Sequence, residues 1–373
     1  MSQSESEPAS TTLTATCQCK NFNIPLIYSN NTLPLQRSLC LCADCRRISG
    51  TSGGISYIPL PPDVQPVVTH LAAYRSSARI TRYFCPQCGA HVLAFVHDIG
   101  QWRVSTGILD RTEGVVMWLG CKFVEGTRDG GIGVWMKEIA DADGKRRELE
   151  HVLGQDGPGA QVVDANWRPS PVKRNTDGAW ENDRLRAECH CGGVRFYITR
   201  PTAESRKAKS TYSDLIVPIS TGPAENPKNE PWFLRDNESK YLAGTCACES
   251  CRRNLGFEVQ TWAFIPRVNV VDASGQPIAP GAVFGTLTRY RSKDNVERSF
   301  CSVCGATVFW NGDWRLDVVD VSTGLFDEVE GARCEGWLDW WTGRVSFKED
   351  AVSTDLIECL ENGLKKWGEE QRQ

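Results

Sequence analysis

Cys40-Leu41-Cys42-Ala43-Asp44-Cys45-Arg46-Arg47 and Cys246-Ala247-Cys248-Glu249-Ser250-Cys251-Arg252-Arg253 are one pattern at two places, 206 residues apart. A Cys-x-Cys pair precedes each hook (Cys17 and Cys19; Cys189 and Cys191). A Phe-Cys-x-x-Cys-Gly turn follows each, with Cys85 and Cys88 in one copy and Cys301 and Cys304 in the other. The intervening text repeats as well: Tyr74-Arg75-Ser76 answers Tyr290-Arg291-Ser292, and Ser105-Thr106-Gly107 answers Ser322-Thr323-Gly324. Seven cysteines per copy account for fourteen of the 17 in this 373-residue chain, which therefore reads as a tandem duplication. The offset between copies is 172 residues at the first pair, 206 at the hook and 216 at the last pair, so about 34 extra residues lie between Cys191 and Cys246. The stretch 200–236, rich in Pro, Ser, Lys and Asn, reads as that insertion, a surface excursion able to cover or extend a site.

Residues 1–12 are mostly Ser, Glu and Thr, with no basic start and no apolar run, and read as a disordered tail rather than a secretory or transit segment. A cytoplasmic location is expected, and there disulfides are disfavoured, so the thiols need another use. In a strand, residues i and i+2 face the same way, which puts the two sulfurs of Cys-x-Cys on one side. A Cys-x-x-Cys-Gly turn brings two more together. Cys17, Cys19, Cys85 and Cys88 are thus expected to hold one structural zinc, and Cys189, Cys191, Cys301 and Cys304 another. The hooks Cys40, Cys42, Cys45 and Cys246, Cys248, Cys251 each offer three thiolates. Three leave the fourth position of a tetrahedral zinc open to water or a ligand, as a catalytic site requires. Two zinc ions per copy, up to four per chain, are expected. Arg46-Arg47 and Arg252-Arg253 are candidates to offset the thiolate charge or hold a carboxylate, and equally read as a solvated edge. Cys121, Cys334 and Cys359 stand alone and read as buried thiols.

Short alternating segments at 54–60, 90–96, 194–199, 260–265, 307–310 and 316–321 predict antiparallel strands. The fold class is mainly β: two tandem zinc-binding, twisted antiparallel β domains at 13–150 and 185–349, joined by a Gly- and Pro-rich linker at 151–184. Leu356, Leu360 and Leu364 recur every fourth residue, so the 350–373 segment is expected to carry a helix over 352–369, weakened by Gly363. The net charge is −4 with a pI near 5.9, which argues against a general nucleic-acid binder. No run approaches the roughly 18 apolar residues of a membrane span.

The chain resembles the glutathione-dependent formaldehyde-activating enzyme family, which includes centromere protein V. The Cys-x-Cys(-Gly) pair, the Cys-x-Cys-x-x-Cys-Arg hook and the Phe-Cys-x-x-Cys-Gly turn carry the resemblance over roughly 13–135 and 185–347, and the tandem arrangement looks like fungal members. The hook His usual in the family is Leu41 in one copy and Ala247 in the other. The resemblance implies a β-tent-like fold in each copy, with the four-cysteine zinc structural and the three-cysteine zinc catalytic. It implies a carbon–sulfur lyase that joins a glutathione-like thiol to a small aldehyde such as formaldehyde, giving S-(hydroxymethyl)glutathione, or runs the reverse. Cys40, Cys42 and Cys45, or Cys246, Cys248 and Cys251, would do this; the sequence does not choose. Partners are then a small thiol and an aldehyde, with no nucleic acid and no membrane. The alternative is a non-catalytic, zinc-stabilised interaction module of the centromere protein V type.

Overall fold

The computed structural model describes residues 9–141, 143–169, 184–222, 224–327 and 329–372. Its sheets stay within one half or the other. In the first half, Tyr57–Pro59, Gln101–Ser105, His91–Val96, Ile80–Phe84 and Ala72–Arg75 form a five-stranded antiparallel sheet in that order. The second half repeats it with Gln260–Pro266, Val318–Ser322, Thr307–Gly312, Val296–Cys301 and Leu287–Lys293, and adds Lys240–Cys246 beyond Gln260–Pro266.

The strand leading into the hook is where the halves part. Ala243 to Cys246 pair with Gln260 to Ala263, whereas Leu35–Cys40 keeps a single bridge, Cys40 to Ile55. Leu35–Cys40 pairs in parallel with Val116–Lys122, as Lys240–Cys246 does with Leu338–Trp340, but in a separate sheet that also takes in Glu150–Val152 and Val162–Val163. That sheet thus reaches into the stretch read as linker, of which 170–183 lie outside the described residues. Strand Ser10–Thr16 likewise takes up the end of the stretch read as tail, of which 1–8 lie outside the described residues.

Two short helices were hidden in the hooks. Helix α1 spans Ala43–Ser49 and α2 spans Glu249–Leu255. Cys42 and Cys248 occupy the N-cap positions that Ser or Asp usually fills, their sulfurs accepting from the backbone N–H of Cys45 (3.4 Å) and Cys251 (3.2 Å). A third helix, α3 (Thr354–Gln371), is amphipathic as its leucines predict. It packs on the first half, with Gly363 against the Trp135 carbonyl at 131–135, so the glycine that weakens the helix is the residue that lets it dock. In the stretch Trp337-Leu338-Asp339-Trp340-Trp341, Trp337 and Trp340 are buried in the core, and Trp340 meets Trp135 edge-on at 5.1 Å between ring centres.

The halves join by reciprocal contacts. The Gly107 N–H donates to the Gly256 carbonyl and the Gly324 N–H to the Gly50 carbonyl, both at 3.0 Å. Gln18 N–H donates to Arg253 O and His190 N–H to Arg47 O, both at 3.2 Å. These equivalent pairs describe a pseudo-two-fold interface inside one chain. Into it is sealed Glu258, 2 % exposed; burial pushes its carboxyl up to about 7, against the lowering pull of Thr106 and Arg252. The unfolded chain releases this proton near 4.5 and the folded chain keeps it to about 7, so folded protein binds more protons in between and loses stability as pH rises through that window. The loss is of order 3 kcal/mol above pH 7. Glu258→Gln is expected to flatten urea stability between pH 5 and 8 and to raise it at pH 8. Equal slopes in the two proteins would assign the pH dependence elsewhere.

Candidate metal centres

The structure gathers the four cysteines of each predicted structural set. Cys17, Cys19, Cys85 and Cys88 have all their sulfurs within 4.8 Å of one another, as do Cys189, Cys191, Cys301 and Cys304. Neighbouring sulfurs lie at 3.6 Å (Cys17 to Cys19), 3.5 Å (Cys19 to Cys85), 3.5 Å (Cys189 to Cys191) and 3.4 Å (Cys191 to Cys301). A tetrahedron with metal–sulfur bonds of ~2.3 Å has edges of ~3.8 Å, so the sulfurs stand close to the spacing a metal imposes. Backbone N–H groups point at them: Phe22 to Cys17 and Val194 to Cys189, each 3.3 Å, and Cys304 to Cys301 at 3.5 Å. Donors aimed at sulfur favour the thiolate, the form that binds metal.

One local expectation is corrected. The Cys-x-Cys pairs lie in turns just after strands Ser10–Thr16 and Arg184–Glu188, not within a strand. The turn explains the residue that follows: Gly192 has φ +74°, and Lys20 adopts φ +64° in its place.

The hooks also close. Cys40, Cys42 and Cys45 form one triad and Cys246, Cys248 and Cys251 the other, with sulfurs within 4.8 Å. Among the described residues no fourth His, Cys, Asp or Glu joins either triad. What does join is an arginine that the sequence reading missed. Arg82 donates to the Cys45 sulfur at 3.3 Å and to the Tyr57 hydroxyl at 2.9 Å; Arg298 donates to the Cys251 sulfur at 3.5 Å and to the Ser250 hydroxyl at 2.6 Å. Both arginines are buried. Hydrogen bonds from the other two hook thiols, then the arginine, hold Cys45 and Cys251 well below the ordinary thiol range despite burial. The signal was present as Arg-x-Phe-Cys, read in both copies at Arg82 to Cys85 and Arg298 to Cys301.

The Arg pairs after the hooks do other work. Arg46 and Arg252 are buried and donate to backbone carbonyls, Arg46 to Gly126 at 3.4 Å and Arg252 to Leu109 at 2.9 Å across the interface. Arg47 pairs with Asp327 at 2.8 Å and Arg253 with Glu249 at 3.0 Å. Cys121, Cys334 and Cys359 are buried and belong to none of the four clusters.

The two triads differ in their surroundings. Leu255 and Phe257, from the second half, pack in one apolar cluster with Cys45 and Ile55, against which Cys40, Cys42 and Tyr57 also lie. Phe257 meets Tyr57 edge-on at 5.3 Å. His190, the middle residue of the second Cys-x-Cys, reaches across to the first hook, its Nδ1 2.8 Å from the Tyr74 hydroxyl and its Nε2 3.7 Å from Asp44. The second triad lines a cavity of about 880 Å³. Trp262, Phe264, Trp310 and Trp314 line it, the inserted segment contributes Asp214 and Leu215, and Gln18 of the first half reaches its rim.

A family model described as glutathione-dependent formaldehyde-activating enzyme matches residues 12–117 and 235–344. The second match opens beyond Cys189 and Cys191, which the insertion separates from their partners in the sequence. A search of curated proteins and a search of solved structures each find no match. Among the described residues, no helix is long and apolar enough to cross a membrane.

Proposed function

Because the chain belongs to the glutathione-dependent formaldehyde-activating enzyme family, we propose that it is a zinc-dependent carbon–sulfur lyase working at Cys246, Cys248 and Cys251. The carrying observation is a three-thiol site, with no fourth His, Cys, Asp or Glu donor among the described residues, lining a cavity of about 880 Å³. The two four-cysteine clusters are then structural zinc sites, one in each of the tandem domains 13–150 and 185–349, and the chain holds up to four zinc ions. A reducing, cytoplasmic setting suits a chain that commits fourteen of its 17 cysteines to metal.

Zinc, when bound in the triad, supplies a Lewis acid and a soft partner for sulfur. The chain's own residues supply the rest. Arg298 offsets the negative charge of the thiolates and fixes Cys251 from a buried position, so the site need not reorganise when substrate arrives. The aromatic walls displace water from the reacting groups. In the forward direction the thiol sulfur bonds to the carbonyl carbon, the C=O π pair moves to oxygen and the thiol proton ends there as a hydroxyl; the reverse returns thiol and aldehyde. Holding both together is the main contribution to rate.

The test joins metal analysis with two variants. Purified protein is expected to carry close to four zinc ions. Cys248→Ser is expected to lower thiol-dependent formaldehyde consumption by at least about 100-fold, and far more than Cys42→Ser does. Equal losses would place the reaction at both hooks; no turnover by the parent protein would leave a zinc-stabilised scaffold.

A further inference from the structure

The charged groups inside the second cavity are already occupied. Asp214 accepts from Ile219 N at 2.8 Å, Ser346 Oγ at 2.9 Å and Phe347 N at 3.0 Å. Arg315 pairs with Asp320, and Arg298 is held by Cys251 and Ser250. The remaining ionic liners outside the hook, Glu225, Lys293 and Asp350, are exposed at the mouth. A thiol bearing carboxylates and an ammonium finds open ionic partners only among the exposed groups Glu225, Lys293 and Asp350, and charges carried deeper meet groups already engaged, at a desolvation cost the interior does not offset.

What the interior offers is aromatic surface. Trp262 and Phe264 are 4 % exposed, and Trp310 stands beside them with Trp314 edge-on at 5.7 Å. The Arg315 guanidinium lies 5.0 Å from the Trp310 ring centre and 5.5 Å from that of Phe264, ordering both faces. Tyr57 stands in the first copy where Trp262 stands in the second, but Trp310 has no aromatic counterpart. Across the strand from Arg298 stands Trp310, whereas across from Arg82 stands Ala94; across from Trp310 stands Asp320, whereas across from Ala94 stands Arg103.

Resting on the lyase reading above, we propose that the thiol substrate of the second site is an arylalkyl thiol, its sulfur at the hook and its ring among Trp262, Phe264 and Trp310. The bond changes are those of the thiol–aldehyde addition: the S–H proton passes to the carbonyl oxygen and no other reactant is consumed.

The experiment titrates the full-length, zinc-loaded protein with phenylmethanethiol and with glutathione, following tryptophan fluorescence and heat. Phenylmethanethiol is expected to bind at least about tenfold tighter than glutathione, and Trp310→Ala to remove about that factor for phenylmethanethiol while leaving glutathione unaffected. Should Trp310→Ala fail to fold, Trp314→Ala, at a ring already 50 % exposed, carries the same comparison. Glutathione binding as tightly as phenylmethanethiol, or an aryl preference indifferent to both tryptophans, overturns the inference. Turnover of glutathione with formaldehyde alongside that result leaves the lyase reading standing. An aryl preference without turnover of any aldehyde retains the ligand class and removes the reaction.

Discussion

Cys301→Ser is expected to unfold the second half at 25 °C. The sulfur of Cys301 lies 3.4 Å from that of Cys191 and receives the N–H groups of Val303 at 3.4 Å and Cys304 at 3.5 Å, with the Thr286 hydroxyl at 3.0 Å. It therefore ties the turn after strand Arg184–Glu188 to a hairpin more than a hundred residues away in the chain. A structural zinc site contributes about 10 kcal/mol or more to folding, against a total stability of about 5–15 kcal/mol for a typical domain. Serine, a hard and weakly acidic ligand, replaces little of that. The damage should also spread across the interface, because Phe300 packs directly over Gly89 of the first half. Circular dichroism and zinc content together check this. A variant that melts within a few degrees of the parent and retains its zinc would show that this cluster is not the staple of the fold.

How much of this was legible follows from what each feature depends on. The two four-cysteine clusters and the two triads were readable because spacing within a turn or hook is local and the pattern is written twice. The mainly β class was readable for the same reason, since alternation reports one strand at a time. Helices α1 and α2 escaped notice because seven residues carry too little periodicity, and because a thiol, not a Ser or Asp, caps them. Arg82 and Arg298 were overlooked because they approach the hooks from a strand 37 and 47 residues away, a relation that only the folded sheet makes. The inequality of the sites is a tertiary fact too. Phe257 closes on the first hook because a second half lies against it, and the 200–236 insertion lines the second cavity because its middle is anchored there, Asp214 by Ser346 and Phe347 and Leu215 over Gly244.

The interface itself supplies the second large effect. Gly256 ends α2 with φ +96°, donates its N–H to the Arg252 carbonyl at 2.8 Å and accepts from Gly107 N at 3.0 Å. A Cβ there would stand 2.2 Å from the His91 carbonyl oxygen, a backbone atom in a central strand that has little room to retreat. Gly256→Ala therefore combines a left-handed conformation, about 1–2 kcal/mol for a residue with a side chain, with an overlap that the interface must open to relieve. The total is expected to reach about 4 kcal/mol, on the order of 10 °C in melting temperature for a domain of this size. Gly50, at φ +87° with a Cβ position 2.1 Å from the Thr307 carbonyl oxygen, is its counterpart. If both positions strain one shared interface, the double variant should cost clearly less than the two single losses added, because the first opening has already relieved the second overlap. Strict additivity would instead mean that each glycine serves only its own helix. The consequence for the hooks then separates as well: an opened interface withdraws Phe257 from Cys45, so the first triad should react faster with a thiol reagent in Gly256→Ala, whereas purely local strain would leave its reactivity at the parent rate.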